Sequence, residues 1–240
     1  MIDARRAALS ALIDHAPTFP PASLSGPDAI DEDRRARADE HAWLLARLVW
    51  PSSRLAELEG EDRALSVLLD EGLRVVSTQS SKIEAVETRW EGGLLDGLAG
   101  EAYVELPLDD ELDERVARLA ERGLRAKVRC GGATIPSAAA LGRFLETCRA
   151  AGVPFKATAG LHRPLAAEER HGFLNVLAAC VFEDDSALKG AVELDADGLR
   201  WQNREAGADE LARVRREQLV AIGSCSFFEP VADLQELGIL

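Results

Sequence analysis

The chain has 240 residues, 47% of them apolar and 29% charged, which is enough to bury the core of one large α/β domain or two small ones. Its formal charge of −14 argues against general binding to nucleic acid or an anionic membrane, since both need a basic face, but leaves room for a local basic pocket around a small phosphorylated substrate. No apolar run approaches a membrane span, the N-terminus lacks a signal-peptide core, and Cys130, Cys148, Cys180 and Cys225 form no Cys-x-x-Cys pair, so a cytoplasmic location with reduced thiols is expected.

Residues 4–14 read as a short helix. A loop follows through Pro17, Pro20, Pro21 and Pro27. Residues 29–49 read as a charged helix ending near Trp50-Pro51, with Trp43, Leu44, Arg47 and Leu48 on one face. Residues 1–55 are therefore expected to form a helical N-terminal extension, a cap or an arm through which copies of the chain would pair as a homo-oligomer.

From about residue 64, strands alternate with helices, as the hydrophobic periodicity requires. Strands are predicted over 65–69, 83–90, 102–106, 125–130, 153–158 and 220–224. Helices are predicted over 109–122, 137–151, 168–182, 208–219 and 230–237. The first of these opens on acids and closes on arginine and glycine, as the helix dipole and C-cap prefer. Ser137 follows Pro136 and serves as the N-cap of the second. Asp195-Ala196-Asp197-Gly198, between two alternating runs, predicts a β-hairpin. Repeated strand–helix units imply a parallel sheet with helical crossovers. The expected fold of residues 56–240 is an α/β, TIM-like (β/α) barrel, either complete or in an incomplete or modified form. A doubly wound open sheet is the alternative, weakened by the absence of an early G-x-G-x-x-G.

Lysine usage points to chemistry. Only Lys82, Lys127, Lys156 and Lys189 occur among the 28 lysines and arginines. Lys127 and Lys156 both lie on predicted strands that run into glycine turns. Arginine keeps its charge, whereas a lysine in a tuned site can act as a base or form an imine. Strands of a parallel sheet are normally apolar on both faces. Here Glu87, Glu105, Lys127, Arg129 and Lys156, from four successive strands, share the face that would point into the barrel. Sites in such folds form at the C-terminal ends of the strands. The same charges would also arise from a buried ion-pair network that merely fills the barrel, with a net energetic value near zero.

Lys156-Ala157-Thr158-Ala159-Gly160-Leu161-His162 resembles the strand-end lysine segment of class I, Schiff-base aldolases of the deoxyribose-phosphate aldolase type. Those barrels carry two lysines about one strand–helix unit apart. The first forms the imine, and the second makes it more acidic. By order, Lys127 corresponds to the imine lysine and Lys156 to its neighbour. By local motif, Lys156 fits the imine role equally. Ile222-Gly223-Ser224-Cys225-Ser226 is similar to the glycine–hydroxyl strand end that holds phosphate in that family. The chain departs from the pattern in Val128-Arg129-Cys130-Gly131-Gly132, which is not hydroxyl-rich, and in offering Glu105 where the family has an aspartate. The resemblance covers short, separate segments.

His162, beside Arg163, is a candidate acid or base at a strand end. His171 and Asn175 lie one helical turn apart at a helix start, where amides could bind an anion. Cys130 and Cys225 fall at strand ends and are more plausible as buried thiols than as nucleophiles. His15 and His41 show no constellation.

The reading is a small-molecule enzyme without a cofactor. Lys156, Lys127, Glu105 and His162 are its catalytic candidates. Arg129, Gly131, Gly132, Arg163, Ser224 and Glu87 are its substrate or anion contacts. Aldolase-like carbon–carbon bond cleavage is expected. The alternatives are an isomerase using lysine as a base, with or without a divalent metal, and a non-catalytic barrel acting as a scaffold.

Overall fold

Alternation along the strands sets the architecture. The computed structural model of the chain describes residues 3–71, 82–91, 95, 97–98, 100–168 and 170–240. In chain order the elements are α1 (Ala4–Leu9), β1 (Ile13–His15), α2 (Gly26–Arg37), β2 (Leu45–Pro51), β3 (Leu65–Leu68), β4 (Ile83–Arg89), β5 (Ala102–Glu105), α3 (Leu112–Glu121), β6 (Arg125–Arg129), α4 (Ala138–Ala150) and β7 (Phe155–Thr158). They continue with α5 (Phe173–Phe182), β8 (Val192–Leu194), β9 (Leu199–Trp201), β10 (Arg204–Ala206), α6 (Ala208–Glu217), β11 (Leu219–Ser224) and α7 (Phe228–Glu236).

Eight parallel strands close a barrel in the order β1-β11-β7-β6-β5-β4-β3-β2. The protein is thus a TIM-like α/β barrel, closed rather than incomplete. On β5, β6 and β7 the outward residues Val104, Ala126, Val128, Phe155 and Ala157 are buried against the helices. The helices present matching apolar stripes, such as Val116 and Leu119 of α3 and Leu141, Phe144 and Leu145 of α4. Phe144 meets Phe155 edge-on at 5.3 Å between ring centroids. Each fully buried side chain of this size contributes roughly 1.5–3 kcal/mol, and Phe144→Ala would cost about 3–5 kcal/mol by opening a cavity. Ser137 caps α4 as expected, accepting from the amide of Ala140 at 3.1 Å.

The N-terminal fifth differs from expectation. An N-terminal helix is present, but β1 and β2 lie inside the stretch read as a helical extension, and both are barrel strands. The face Trp43-Leu44-Arg47-Leu48 therefore does not exist as a helix face. Leu48 sits on β2, where it packs with Trp50, Ala29, Ile30 and Val67 beneath α2. The charge-rich pattern of α2 runs on into β2 and masks the boundary between them. The helix expected over 168–182 begins only at Phe173, after Gly172, and residue 169 lies outside the described residues.

Beneath the β1–β11 ladder, Arg215 of α6 ties the turn before β1 to the start of β11. Its guanidinium donates to the carbonyls of Ala8, Ser10, Ala11, Leu219 and Val220 at 2.6–3.3 Å. Burial pulls its pKa down to about 10, so it remains charged at neutral pH. The predicted hairpin forms β8 and β9 of a separate three-stranded antiparallel sheet, which packs against α5 through Trp201 and Phe182. Among the described residues, no helix is long and apolar enough to cross a membrane.

Candidate active site in the barrel interior

The inward positions of the same strands carry polar groups. Lys127 and Lys156 are direct neighbours in register across β6 and β7, and Glu105 pairs with Lys127 across β5 and β6. Lys156 Nζ donates to Asp14 Oδ2 at 2.6 Å and to Glu87 Oε1 at 2.5 Å. Lys127 Nζ donates to Glu87 Oε2 at 3.0 Å and lies 3.2 Å from Glu105 Oε2. One carboxylate, Glu87, thus bridges both ammonium groups, and Ser66 Oγ adds a hydrogen bond to it at 2.7 Å. The structure brings together Glu87, Glu105, Lys127 and Lys156, as the strand faces predict.

Burial alone would push the Glu87 carboxyl up. The ammonium groups of Lys156 and Lys127 outweigh it and hold the carboxyl well below the usual range. Burial alone would likewise lower the Lys156 pKa, but Asp14 and Glu87 outweigh that and raise it. Lys156 is therefore a fixed cation, 0% exposed. Lys127, 5% exposed, lies beside Glu105, which lines a cavity of about 660 Å³ over the C-terminal ends of β4, β5 and β6. Arg89, Arg129 and Glu105 form the polar side of that cavity, and Trp90, Leu106, Ile135 and Pro136 the apolar side.

Of the other predicted contacts, Gly131 lines the same cavity, and the rest fall elsewhere. Gly131 and Gly160 touch backbone to backbone: a Cβ on Gly131 would lie 2.9 Å from the Cα of Gly160. Gly132, at φ +104°, makes room for the Arg129 guanidinium, which a Cβ there would meet at 2.9 Å. These glycines serve packing around the site. Ser224, paired in register with His15, donates to the carbonyl of Ser226 at 2.6 Å. His162 Nδ1 lies 3.3 Å from Ser224 Oγ, 3.8 Å from Cys225 Sγ and 3.8 Å from Glu229 Oε2. Arg163 faces Asp233 at 3.7 Å. His162 and Ser224 form a second cluster with Cys225 and Glu229, Arg163 pairs with Asp233, and among the described residues none of the three bonds or ion-pairs with the lysines. Burial lowers the His162 pKa and raises that of Cys225.

His171 and Asn175 are clamps. His171 Nε2 bonds the carbonyl of Pro136 at 2.8 Å, and Asn175 ties Ala166 to Ala187 and Gly190. Burial raises the Cys130 thiol to about 12, which leaves it inert.

Asp14 and Ser66 escaped the sequence reading. Asp14 sits in a three-residue strand, too short to show a period of two, and its neighbours continue a helical pattern. The acid in Ile13-Asp14-His15, between apolar residues and a proline-rich loop, was the available signal. His15 points the other way from β1, its Nδ1 3.1 Å from Asp33 Oδ1. Asp33 in turn binds Arg63 at 2.6 Å and Arg37 at 2.8 Å. Burial alone would lower the His15 pKa, but Asp33 and Glu32 raise it on balance. This buried cluster anchors α2 to β1 behind Asp14.

A closed (β/α) barrel with a lysine–carboxylate interior and an open C-terminal mouth defines the class of protein. The chain matches no protein-family model and no curated protein. Among the described residues, no group of three or more His, Cys, Asp and Glu side chains is placed to hold a metal ion.

Proposed function

We propose that the protein is a small-molecule lyase that cleaves or forms a carbon–carbon bond through an imine on Lys127. The observation that carries this reading is the unequal placement of the two lysines. Lys156 is sealed between Asp14 and Glu87, whereas Lys127 pairs at 3.2 Å with Glu105, which lines the mouth cavity. Geometry thus favours the order-based assignment over the local motif.

In this mechanism Lys127 Nζ gives a proton to Glu105 and adds to the carbonyl carbon of the substrate. The resulting carbinolamine loses its hydroxyl as water, with Glu105 returning the proton, and a protonated imine remains. The bond between the α and β carbons then breaks. Its electron pair moves toward the imine nitrogen to form an enamine, and the β-hydroxyl proton passes to a base as an aldehyde leaves. Protonation of the enamine and hydrolysis return the amine. Lys156 stays protonated throughout and keeps Glu87 ionised.

Incubation with aldehydes and ketones, borohydride reduction and peptide mass spectrometry test this reading. The expected result is a reduced adduct on Lys127. Turnover of a substrate that leaves no adduct on either lysine would sink the imine. If Lys127→Arg then still abolished turnover, lysine would act as a base for enolisation.

A further inference from the structure

The mouth cavity carries two under-used arginines. Arg89 Nε and Arg129 Nη1 each lie 3.9 Å from a Glu105 oxygen, beyond hydrogen-bond reach. Neither guanidinium makes a closer ionic contact among the described residues. Elsewhere Arg47, Arg63, Arg115 and Arg125 meet carboxylates at 2.5–3.1 Å. Arg89 and Arg129 come from alternate strands, β4 and β6, and flank Glu105 of β5 between them.

The charge balance of the interior points the same way. Arg47 and Arg125 on the floor are matched by Glu84 and Glu101. Above them Asp14, Glu87 and Glu105 face Lys127, Lys156, Arg89 and Arg129, so cations exceed anions by one formal charge. In a chain of net charge −14, that local surplus suits one negative charge at the mouth. The facing wall is apolar. It includes Leu106, Leu108 and Ile135, and Ile135 is one of two exposed large hydrophobic residues among those described.

We propose that Arg89 and Arg129 clamp the carboxylate of an oxo acid whose apolar arm lies along Leu106, Leu108 and Ile135. Its orientation rests on the reading of Lys127 as the reacting amine. Glu105 Oε2 is a near neighbour of both Lys127 Nζ, at 3.2 Å, and Arg129 Nη1, at 3.9 Å. An anion on the arginines and a carbonyl at Lys127 are then about one carboxylate apart, as in a 2-oxo or 3-oxo acid. The planar guanidinium fork matches a carboxylate. A single carboxylate neutralises the surplus, whereas a phosphate dianion would overshoot it. The apolar wall gives a polyhydroxylated sugar little to bind.

Calorimetric titration of the full chain with 3-phenylpropanoate, 3-phenylpropanamide and inorganic phosphate tests the clamp. None of these probes has a ketone or aldehyde, so none depends on imine formation. The carboxylate is expected to bind about tenfold or more tightly than the amide, as charge-assisted bonds would give. Arg89→Gln and Arg129→Gln should each lose several-fold in carboxylate affinity and leave the amide unchanged. Their side chains are 73% and 47% exposed, so both variants should fold. Lys127→Arg, which keeps the charge balance but cannot form an imine, should keep the preference for the carboxylate, which separates failure of the clamp from failure of the imine. Equal affinity for acid and amide, no binding of the acid, or a preference that survives the double arginine substitution would overturn the proposal. Tighter binding of phosphate than of 3-phenylpropanoate would overturn the assignment to a carboxylate.

Discussion

The barrel interior holds two charged layers built from different cations. On the floor Arg47 and Arg125 share Glu101 at 2.7 and 2.8 Å, Tyr103 Oη donates to the same carboxylate at 2.7 Å, and Arg47 also reaches Glu84. One layer higher, Lys127 and Lys156 share Glu87. Both layers satisfy their charges. Guanidinium groups on the floor offer no accessible neutral form, and burial with Glu101 pushes the Tyr103 hydroxyl up to about 12. Of the two ammonium groups above, Lys156 is held charged by Asp14 and Glu87, whereas Lys127 pairs with Glu105, which lines the mouth cavity. The difference teaches that the floor charges are paired for structure alone, and that under the proposed imine mechanism charge in this barrel becomes chemical only at Lys127.

Replacing the mouth lysine tests that contrast most severely. Lys127→Ala should remove the borohydride-trapped adduct and lower kcat by at least on the order of 10³-fold, because a covalent nucleophile has no substitute. Lys127→Arg should fail equally, although it keeps the charge. Steady-state kinetics on any substrate that leaves an adduct checks both.

Lys156→Met should act on stability first. It strands Asp14 as a buried carboxylate without an ammonium partner and leaves Glu87 to Lys127 and Ser66, at a cost of about 3–5 kcal/mol in chemical denaturation. Adding Asp14→Asn should recover part of that loss. Full additivity of the two substitutions would show that the pair is not coupled.

The pH dependence follows from the shifts of the same pair. Glu87 is depressed in the folded state, so its contribution is present above the unfolded carboxylate value of about 4.3 and is lost as pH falls toward its folded value. Lys156 is raised, so its contribution is complete below about 10.4 and is lost as pH rises through its folded value. Stability should therefore be flat from these groups across neutral pH and fall on both sides. Glu87→Gln should cost about 1–3 kcal/mol at pH 7 and flatten the acid limb in thermal unfolding followed by circular dichroism. An unchanged acid limb would contradict the assignment.

On the floor, Arg125→Lys should cost within about 1 kcal/mol and leave adduct formation intact, since this ion pair is partly exposed. The smallest effect is expected at the second cluster. Cys225 is 5% exposed and its thiol is raised by burial, so iodoacetamide should alkylate it slowly at pH 7. Cys225→Ser should leave turnover within about twofold, as an unreactive buried thiol implies.

Much of this molecule was legible in its chain. Alternation on β4 to β7 placed Glu87, Glu105, Lys127 and Lys156 on one face, because a strand's period of two is a local property and one misplaced residue would bury a charge among helices. Ser137 and the turn around Asp195–Gly198 were legible for the same local reason. Tertiary structure alone decided the rest. Asp14 joins Lys156 across 142 residues of sequence, a contact that exists only because the barrel closes β1 onto β11. Closure made barrel strands of two short segments with little periodicity of their own, β1 and the end of a charged run. It also separated His162 and Ser224 from the lysines, although all lie near strand ends. Sequence fixes which face a side chain takes on its own strand. Which strands meet, and which of two equivalent lysines stands nearer the open mouth, depends on how the whole ring closes.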